Sequence, residues 1–269
     1  MNNYKALKNL ENKVVLITGA SSGLGEQIAY QVAKRGAIVI VTARNLDKLK
    51  MVAKSCTEFH GKKAYAIRMD MSNPDDIENA VETIKQCIGK IDVLINNAGF
   101  GLMQNAIDFD MQQAEAMFRV NVLGMMYLTQ YVALQMAEEH CGVIINIASM
   151  AGKIATPKSA IYSATKAAVI GYSNALRLEL KKLGISVIVV NSGPIRTNFF
   201  NTADQTGNYL EKVKKIVLNP ELVAEKIVKT IGSNKRELIL PGFFKVADIG
   251  YALFPKLGDF LTENVFNKK

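Results

Sequence analysis

The segment VVLITGASSGLGEQIAYQVAKRG, residues 14–36, joins an apolar run to a glycine-rich turn and an amphipathic stretch. It admits two interpretations. Gly19, Ser21 and Gly23 spell G-x-S-x-G, a strand-to-helix turn that can carry a nucleophilic serine. With Thr18 and Gly25 the same residues spell T-G-x-x-x-G-x-G, a turn of the kind that seats the pyrophosphate of a dinucleotide. Both turns lie between a strand and a helix, so the choice depends on the rest of the chain.

Apolar runs alternate with amphipathic segments from the first residues to about Leu240. The runs are KVVLIT, AIVIVTA, KAYAIRM, IDVLINNAG, GVIINIAS, ISVIVVNSG and ELILPG. They are continuous rather than alternating, which is typical of strands covered on both faces of a parallel sheet. Between them, Asn45 and Asn73 are favourable helix N-caps, and Pro74 suits a first helical position.

This pattern predicts a single α/β domain over residues 1–269, doubly wound in the Rossmann manner. We expect a central parallel sheet of six to seven strands with helices on both faces. Residues 1–12 form an N-terminal extension that we expect to fray. Residues 198–219 are less regular and are predicted to form a substrate loop, and residues 241–269 are predicted to form a helical tail.

Composition excludes several classes of protein. The chain has 269 residues, 49% of them hydrophobic and 21% charged, as in soluble globular proteins. Its net charge of +9 comes from scattered lysines without a compact basic run, which argues against nucleic-acid binding. No apolar run is long enough to span a membrane, and no secretory signal is evident, so we expect a cytoplasmic protein. Cys56, Cys87 and Cys141 form no C-x-x-C pair and are expected to be buried, and two histidines leave no convincing metal site.

The nucleophile interpretation of Ser21 fails on a missing base. A serine in such a turn is followed by an acid and then by a histidine late in the chain, but no histidine follows His140. The dinucleotide interpretation needs a strand before the turn and a helix after it, and both are present. Gly19 then permits the tight turn, Gly23 lets the backbone approach the pyrophosphate, and Gly25 allows close packing of helix against strand.

The end of the second predicted strand discriminates between cofactors. Proteins that bind NAD usually place a carboxylate there to accept hydrogen bonds from the ribose 2′-hydroxyl. This chain has Ala43 and then Arg44, 19 residues after Gly25. A guanidinium suits a 2′-phosphate, and no carboxylate repels it, so the sequence favours NADP(H).

A Y-x-x-x-K pattern is one device for moving a proton, because the two side chains share a helix face. A lysine ammonium nearby favours the phenolate and lowers the pKa of the tyrosine. The pattern is weak alone, since about one match is expected by chance in a chain of this composition. Three occur: Tyr4/Lys8, Tyr30/Lys34 and Tyr162/Lys166.

The surroundings separate the three pairs. Tyr4/Lys8 precedes the first strand, and Tyr30/Lys34 lies along the first helix beyond its phosphate-facing end. Tyr162/Lys166 begins a helix after a strand whose carboxyl end carries Ser149. Ligands of open α/β sheets bind at the carboxyl ends of strands, so this last pair is expected in the crevice.

Together these residues resemble the short-chain dehydrogenase/reductase family. The resemblance rests on TGASSGLG, NNAG, Asn121 in FRVNVLG, Ser149 and YSATK, and it runs in matching order from about Lys13 to Leu240. One departure is visible, because the family usually has Pro-Gly where this chain has Ser192-Gly193. Losing that proline frees a backbone torsion, which puts the rigidity of this loop in question.

The resemblance implies catalytic roles for Asn121, Ser149, Tyr162 and Lys166. Tyr162 would be the general acid/base, and Lys166 would assist it and hold the nicotinamide ribose. Ser149 would hydrogen-bond the substrate oxygen, and Asn121 would support a proton relay through water. The residues expected to bind NADP(H) are Gly19, Ser21, Ser22, Gly23, Leu24, Gly25, Arg44, Asp70, Met71, Asn97, Ala98, Gly99, Tyr162, Lys166, Gly193, Ile195 and Thr197.

The implied activity is NADP-dependent oxidation and reduction of CH–OH and C=O groups, by a homodimer or homotetramer. The alternative is a non-catalytic NADP(H) sensor or scaffold on the same fold, which should have lost part of the catalytic set. We expect an apolar carbonyl or alcohol substrate, because the expected substrate region is apolar. Its apolar residues, with one glycine, are Gly101, Leu102, Met103, Ile154, Phe199 and Phe200.

The tail after Pro241 has apolar residues at roughly helical spacing. One interpretation is peripheral attachment to an anionic membrane, helped by the net positive charge. We favour the other, a helix packed over the substrate cleft or against a neighbouring subunit. Asp248, Asp259 and Glu263 argue against the membrane.

Overall fold

Seven parallel strands form one sheet in the order β3-β2-β1-β4-β5-β6-β7. The computed structural model describes residues 3–204, 211, 213–214 and 216–265. The strands are β1 (Val14–Thr18), β2 (Ile38–Ala43), β3 (Tyr65–Arg68), β4 (Val93–Asn96), β5 (Gly142–Ile147), β6 (Ile185–Ser192) and β7 (Glu237–Leu240). The predicted doubly wound parallel sheet is confirmed, with seven strands.

Helices connect the strands and cover both faces of the sheet. They are α1 (Gly23–Ala33), α2 (Leu46–His60), α3 (Pro74–Cys87), α4 (Met111–Phe118), α5 (Met125–Glu138), α6 (Ala160–Leu180), α7 (Phe199–Ala203), α8 (Pro220–Val228), α9 (Phe244–Leu253) and α10 (Pro255–Phe260). Short 3₁₀ helices occupy Asn3–Lys8, Ala106–Asp108, Met150–Gly152 and Lys181–Leu183. Wider π-helical turns occupy Arg119–Gly124 and Leu261–Val265.

Two predicted caps begin the helices that follow β2 and β3. The side chain of Asn45 accepts a hydrogen bond from the backbone N–H of Lys48. The side chain of Asn73 accepts from the N–H groups of Asp75 and Asp76, and Pro74 follows at the first helical position. Both asparagines therefore satisfy donors that the first turn of a helix leaves free.

Successive residues of a strand point to opposite faces, which explains the continuous apolar runs. In β1, Val15 and Ile17 join the core formed with α1, α2 and α8. Val14 and Leu16 join the core formed with α3, α5 and α6. The sheet is thus buried on both sides, as its lack of alternation predicts.

The N-terminal extension and the cysteines are placed differently from what the sequence suggests. The described part of the extension packs on the protein, because Leu7 and Leu10 are each 1% exposed and join the core beside α1. Of the three cysteines expected to be buried, Cys56 is buried, Cys141 is half-buried and Cys87 is exposed.

The strand order reverses between β1 and β4, so the loops after these strands diverge and leave a crevice at their carboxyl ends. Part of the predicted substrate loop (residues 205–210, 212 and 215) and the end of the tail (residues 266–269) lie outside the described residues, as do residues 1–2. Within the described ranges, no helix has both the length and the apolar character needed to cross a bilayer.

Candidate active site

A cleft of about 1160 Å³ opens at the carboxyl ends of the strands. It brings together most of the site residues that the sequence predicts. Those that line it are Gly19, Ser21, Ser22, Gly23, Leu24, Arg44, Asp70, Met71, Asn97, Ala98, Gly99, Ser149, Tyr162, Lys166, Gly193, Ile195 and Thr197. Gly25 and Asn121 are not among its lining residues, and their surroundings show different roles.

The turn after β1 is shaped by close backbone contacts. Gly19 and Gly23 both have φ +64, a left-handed conformation that favours glycine. A Cβ atom at Gly19 would lie 2.7 Å from the Cα of Ala98, and one at Gly25 would lie 2.5 Å from the carbonyl oxygen of Gly19. Gly25 thus packs α1 against the turn, as its predicted packing role requires, and does not line the cleft.

This turn is braced against the loop after β4 by a network that includes Thr18, which the sequence placed in the glycine-rich motif without predicting this role. The Thr18 hydroxyl oxygen accepts hydrogen bonds from the N–H groups of Asn97 at 3.0 Å and Ala98 at 2.9 Å. In return, the Asn97 side chain donates to the carbonyl oxygens of Thr18 at 3.0 Å and Gly19 at 3.1 Å. Asn97 therefore ties the turn after β1 to the loop after β4 through both its backbone and its side chain.

The N-terminus of α1 points into the cleft between Ser22 and Leu24. Ser22 precedes the helix and makes no side-chain cap hydrogen bond, so no serine oxygen occupies the free N–H groups of the first turn. Those groups and the helix dipole favour a bound anion. The glycine-shaped turn leaves room for the backbone of a pyrophosphate to approach, so the residues fit a dinucleotide.

Arg44 and Asp70 stand at the far end of the cleft from α6. Arg44 directly follows β2. Burial acts to raise the pKa of Asp70, but hydrogen bonds from the N–H and hydroxyl of Ser72 and the charges of Arg44 and Arg68 outweigh it, so the pKa is lowered. Asp70 is therefore ionised. Its Oδ1 accepts hydrogen bonds from the Ser72 N–H at 2.9 Å and from the Ser72 hydroxyl at 2.7 Å. No carboxylate stands at Ala43 or Arg44, where β2 ends.

Lys166 and Tyr162 lie one helical turn apart on α6. Lys166 is 6% exposed, and its Nζ donates a hydrogen bond of 2.9 Å to the carbonyl oxygen of Ile147, at the end of β5. The same Nζ lies 5.8 Å from the centroid of the Tyr162 ring. Burial lowers the pKa of Lys166 to about 8, so the ammonium still predominates at neutral pH. A positive charge thus stands beside the tyrosine.

Ser149 follows β5 on the opposite side of the cleft from the glycine turn. Its hydroxyl oxygen accepts from the N–H of Ala151 at 3.1 Å, and the hydroxyl donates to the carbonyl of Ser192 at 3.4 Å. Ser192 belongs to β6 and pairs with Leu240, while the N–H of Gly193 donates to the Leu240 carbonyl at 2.7 Å. Pairing between β6 and β7 therefore holds Ser192 and Gly193 in place, at the position where the family usually has Pro-Gly.

Asn121 lies behind the cleft in the π-helical turn Arg119–Gly124 and is 2% exposed. Its Oδ1 accepts from the Phe100 N–H at 2.9 Å, and its Nδ2 donates to the Phe100 carbonyl at 2.8 Å. Nδ2 also donates to the Thr165 hydroxyl at 3.2 Å. Asn121 thus clamps the loop after β4 to α6, and its proton-relay role stays a prediction.

The tyrosines of the other two Y-x-x-x-K pairs form hydrogen bonds outside the cleft. The Tyr30 hydroxyl donates to Glu26 at 2.8 Å. Burial, followed by that hydrogen bond and the charge of Glu26, raises the pKa of Tyr30 to about 12, which opposes use as a base. The Tyr4 hydroxyl hydrogen-bonds to Asn234. Neither tyrosine lines the cleft.

The part of the cleft beyond Tyr162 is mainly apolar, although Glu211 and Lys214 also line the cleft. Met103, Ile154, Phe199 and Phe200 line it as expected. Two expected lining residues do not: Leu102 packs against the small core around Phe109, and Gly101 lies against the Tyr162 ring. A Cβ atom at Gly101 would lie 2.6 Å from a carbon of that ring. Gly101 therefore makes space for Tyr162 rather than for a ligand.

The helical tail closes this apolar end, which supports the interpretation that placed it over the cleft. Its lining residues are Phe243, Phe244, Ala247, Gly250, Tyr251, Phe254, Leu257, Gly258, Leu261 and Thr262. Lys153, which sequence reasoning missed, ties the tail to the sheet, because it forms ion pairs with Glu237 of β7 at 2.6 Å and with Asp248 of α9 at 2.7 Å. The sequence did not indicate the contact between Lys153 and Asp248 because the two residues lie 95 positions apart.

Comparison with known proteins identifies the same family as the motifs. A family model described as short chain dehydrogenase matches residues 13–208. An uncharacterized oxidoreductase of Staphylococcus aureus strain N315 is 33% identical over 229 residues, which cover 84% of this chain and 94% of that protein.

Two solved structures show how the similarity extends to the fold. L-sorbose reductase from Gluconobacter frateurii, complexed with NADPH and L-sorbose, has 26% identity and a TM-score of 0.79, covering 87% of this chain and 97% of that one. The 3-ketoacyl-(acyl-carrier-protein) reductase from Brucella melitensis, complexed with NADH, has 31% identity and a TM-score of 0.77, covering 86% and 97%.

The buried charge of Lys166 predicts a pH-dependent stability. Its folded pKa of about 8 lies below the ordinary 10.5, so the unfolded chain binds more protons above pH 8. Below pH 8 the folded protein bears the full free-energy cost of burying the Lys166 charge. This cost declines as the pH rises from 8 towards 10.5. We expect the unfolding free energy of the wild type, relative to Lys166→Met, to rise by about 2 kcal/mol between pH 7.5 and 9.5 in denaturant titrations. A flat or falling difference would contradict this assignment.

Proposed function

This chain belongs to the short chain dehydrogenase family, and we propose that its cleft binds NADP(H) and reduces an apolar carbonyl or oxidises the matching alcohol. Membership makes the chain an oxidoreductase. The observation that carries the finer proposal is the placement of Tyr162 and Lys166 in the same cleft as the glycine turn after β1. A dinucleotide held by that turn would share the cleft with Tyr162 and Lys166.

The bound nicotinamide supplies or accepts the hydride, which leaves the protein to move one proton and to hold the substrate oxygen. We assign the proton to the Tyr162 hydroxyl. In the reductive direction Tyr162 donates its proton to the oxygen that becomes the alcohol. In the oxidative direction its phenolate accepts that proton.

Lys166 supports both roles of Tyr162 through its charge. The ammonium near the ring stabilises the phenolate, and its low exposure strengthens the interaction because little water screens it. Nζ donates to Ile147, which leaves two further N–H bonds that can hold the nicotinamide ribose. Ser149, positioned by Ala151, would turn its one hydroxyl hydrogen from the long 3.4 Å contact with the Ser192 carbonyl to the developing negative charge on the substrate oxygen.

The preference for NADP(H) rests on Arg44. The guanidinium lines the cleft at the end of β2, where a ribose-binding carboxylate would stand in an NAD enzyme. The similar structures do not decide the matter, because the sorbose reductase holds NADPH and the ketoacyl reductase holds NADH. The positive charge of Arg44 is therefore the reason for proposing NADP(H) rather than NAD(H).

The apolar substrate follows from the walls of the cleft beyond Tyr162. Phe199 packs on the Tyr162 ring with centroids 5.6 Å apart, and the tail adds further aromatic and aliphatic side chains. Such walls favour a ketone, aldehyde or secondary alcohol carried on an apolar body. A non-catalytic sensor on the same fold would not need to retain Ser149, Tyr162 and Lys166 together. The homodimer or homotetramer stays a prediction.

Tyr162→Phe removes the proton donor and keeps the ring against Phe199. We expect turnover of apolar ketones, followed by NADPH absorbance, to fall at least about 100-fold. NADPH binding, measured by fluorescence titration, should be nearly unchanged. Tyr30→Phe is the matched control, because Tyr30 belongs to the same sequence pattern outside the cleft. Undiminished turnover in Tyr162→Phe would remove Tyr162 from the mechanism.

Arg44→Ala removes the charge expected to hold the 2′-phosphate. We expect kcat/KM for NADPH to fall about 10- to 100-fold, as for the loss of a charge-assisted contact, while kcat/KM for NADH changes little. Arg35→Ala, at the opposite end of α1 from the cleft, should leave both values unaltered. A wild-type enzyme that prefers NADH would overturn the assignment.

A further inference from the structure

Helix α9 begins beside the residues to which we assign the reaction. A Cβ atom at Gly193 would lie 2.7 Å from a ring carbon of Phe244, so this ring packs directly on the segment that follows β6. Gly193 follows Ser192, whose carbonyl oxygen accepts the hydroxyl hydrogen of Ser149 at 3.4 Å. The first turn of α9 therefore lies next to the end of the cleft where the substrate oxygen is expected.

From that point α9 continues along the apolar part of the cleft. The helix has 10 residues, which corresponds to a length of about 15 Å. The residues on its cleft side are Phe244, Ala247, Gly250 and Tyr251. The residues on its opposite side are also apolar, and Val246, Ile249 and Leu253 are 75%, 60% and 67% exposed there. The Tyr251 hydroxyl donates to Asp259 at 2.7 Å, so the surface that α9 offers to a ligand is apolar.

Ala247 lies at the centre of the cleft side of α9. It is three residues from Phe244 and four from Tyr251, so the three side chains share one face of the helix. Ala247 is exposed, whereas both of its neighbours on that face are half-buried. A small side chain between two aromatic rings therefore leaves open space at the cleft wall, which a larger side chain would fill.

An ion-paired lysine holds α9 in this position. Lys153 follows the 3₁₀ helix Met150–Gly152, which begins directly after Ser149. Its Nζ lies 2.6 Å from Glu237 and 2.7 Å from Asp248, and these three side chains are 17%, 25% and 25% exposed. Burial acts to lower the pKa of Lys153, but the hydrogen bonds and charges of the two carboxylates outweigh it, so the pKa is raised. The segment that carries Ser149 is thereby tied both to β7 and to α9.

We propose that the cleft side of α9 selects substrates by the length of their apolar body, with Ala247 as a specificity-determining residue and Lys153 as a positioning residue. The substrate is then a ketone or alcohol whose reacting carbon lies near one end of an extended apolar chain, and that chain runs from Tyr162 along α9. Each methylene that this wall removes from water raises kcat/KM by up to about fourfold. The inference rests on the proposed function, because it requires the reaction at Tyr162.

Kinetics with NADPH and two methyl ketones test the inference. Butanone has almost no apolar body, whereas a methyl ketone of ten carbons can lie along α9. We expect the wild-type kcat/KM for the ten-carbon ketone to exceed that for butanone at least about 100-fold. Equal values would overturn the inference and leave the proposed function intact. No turnover of either ketone would overturn the proposed function and this inference with it.

Ala247→Phe fills the open space on the cleft side of α9. The ratio of kcat/KM for the ten-carbon ketone to that for butanone should fall at least about tenfold. Calorimetric titration of the ten-carbon alcohol into the NADPH-saturated protein should show a comparable loss of affinity without turnover. Ala252→Phe is the matched control, because Ala252 is exposed on the same helix and does not line the cleft. An unaltered ratio in Ala247→Phe would overturn the inference.

Lys153→Met and Asp248→Asn each break the ion pair that holds α9. Each should raise KM for the ten-carbon ketone about tenfold, and by more than it lowers kcat, because the wall moves while Tyr162 and Lys166 stay in place. Lys153→Arg should restore KM, since a guanidinium can pair with both carboxylates. Lys245→Met, which alters an exposed lysine of the same helix, is the matched control. An unchanged KM, or equal proportional losses with both ketones, would remove Lys153 as a positioning residue.

Discussion

The turn after β1 and the loop after β4 approach each other too closely for any side chain between them. A Cβ atom at Gly19 would lie 2.7 Å from the Ala98 backbone, and hydrogen bonds between Thr18 and Asn97 hold the two segments there. This contact joins the two segments that follow β1 and β4, the neighbouring strands between which the strand order reverses. It also directs the N-terminus of α1 into the cleft, so an anion-binding end and the later strand ends face one space.

The proposed chemistry depends on the side chains that β5 and α6 place in the cleft. β5 ends in a carbonyl that holds Lys166 and leads to Ser149, and α6 places Tyr162 one turn before the lysine. Asn121 stabilises this arrangement from behind, because it ties Phe100 to Thr165. The lysine is buried with one backbone partner, and its charge therefore acts on the tyrosine with little screening. The proton transfer proposed for Tyr162 rests on that placement.

The sequence predicted the sheet because buried parallel strands leave an unmistakable apolar run, and it predicted the cleft residues because their motifs lie at strand ends. It could not predict the contacts between distant segments. The π-helical turn around Asn121 needs Gly124 close to the Met71 carbonyl, where a Cβ atom would lie 1.9 Å away. The Lys153–Asp248 ion pair joins segments 95 residues apart. The outward apolar side of α9 likewise appears only once its inward side is known.

The central claim is that this cleft transfers hydride directly to the carbon of an apolar carbonyl while Tyr162 moves the proton. Isotope transfer tests it most directly. NADPH deuterated at the transferable C4 position is incubated with the enzyme and an apolar ketone, and the alcohol is analysed by mass spectrometry. The account predicts one deuterium on the carbinol carbon, with the hydroxyl proton coming from water. An alcohol without deuterium, or no alcohol with any ketone of a broad apolar panel, would contradict it.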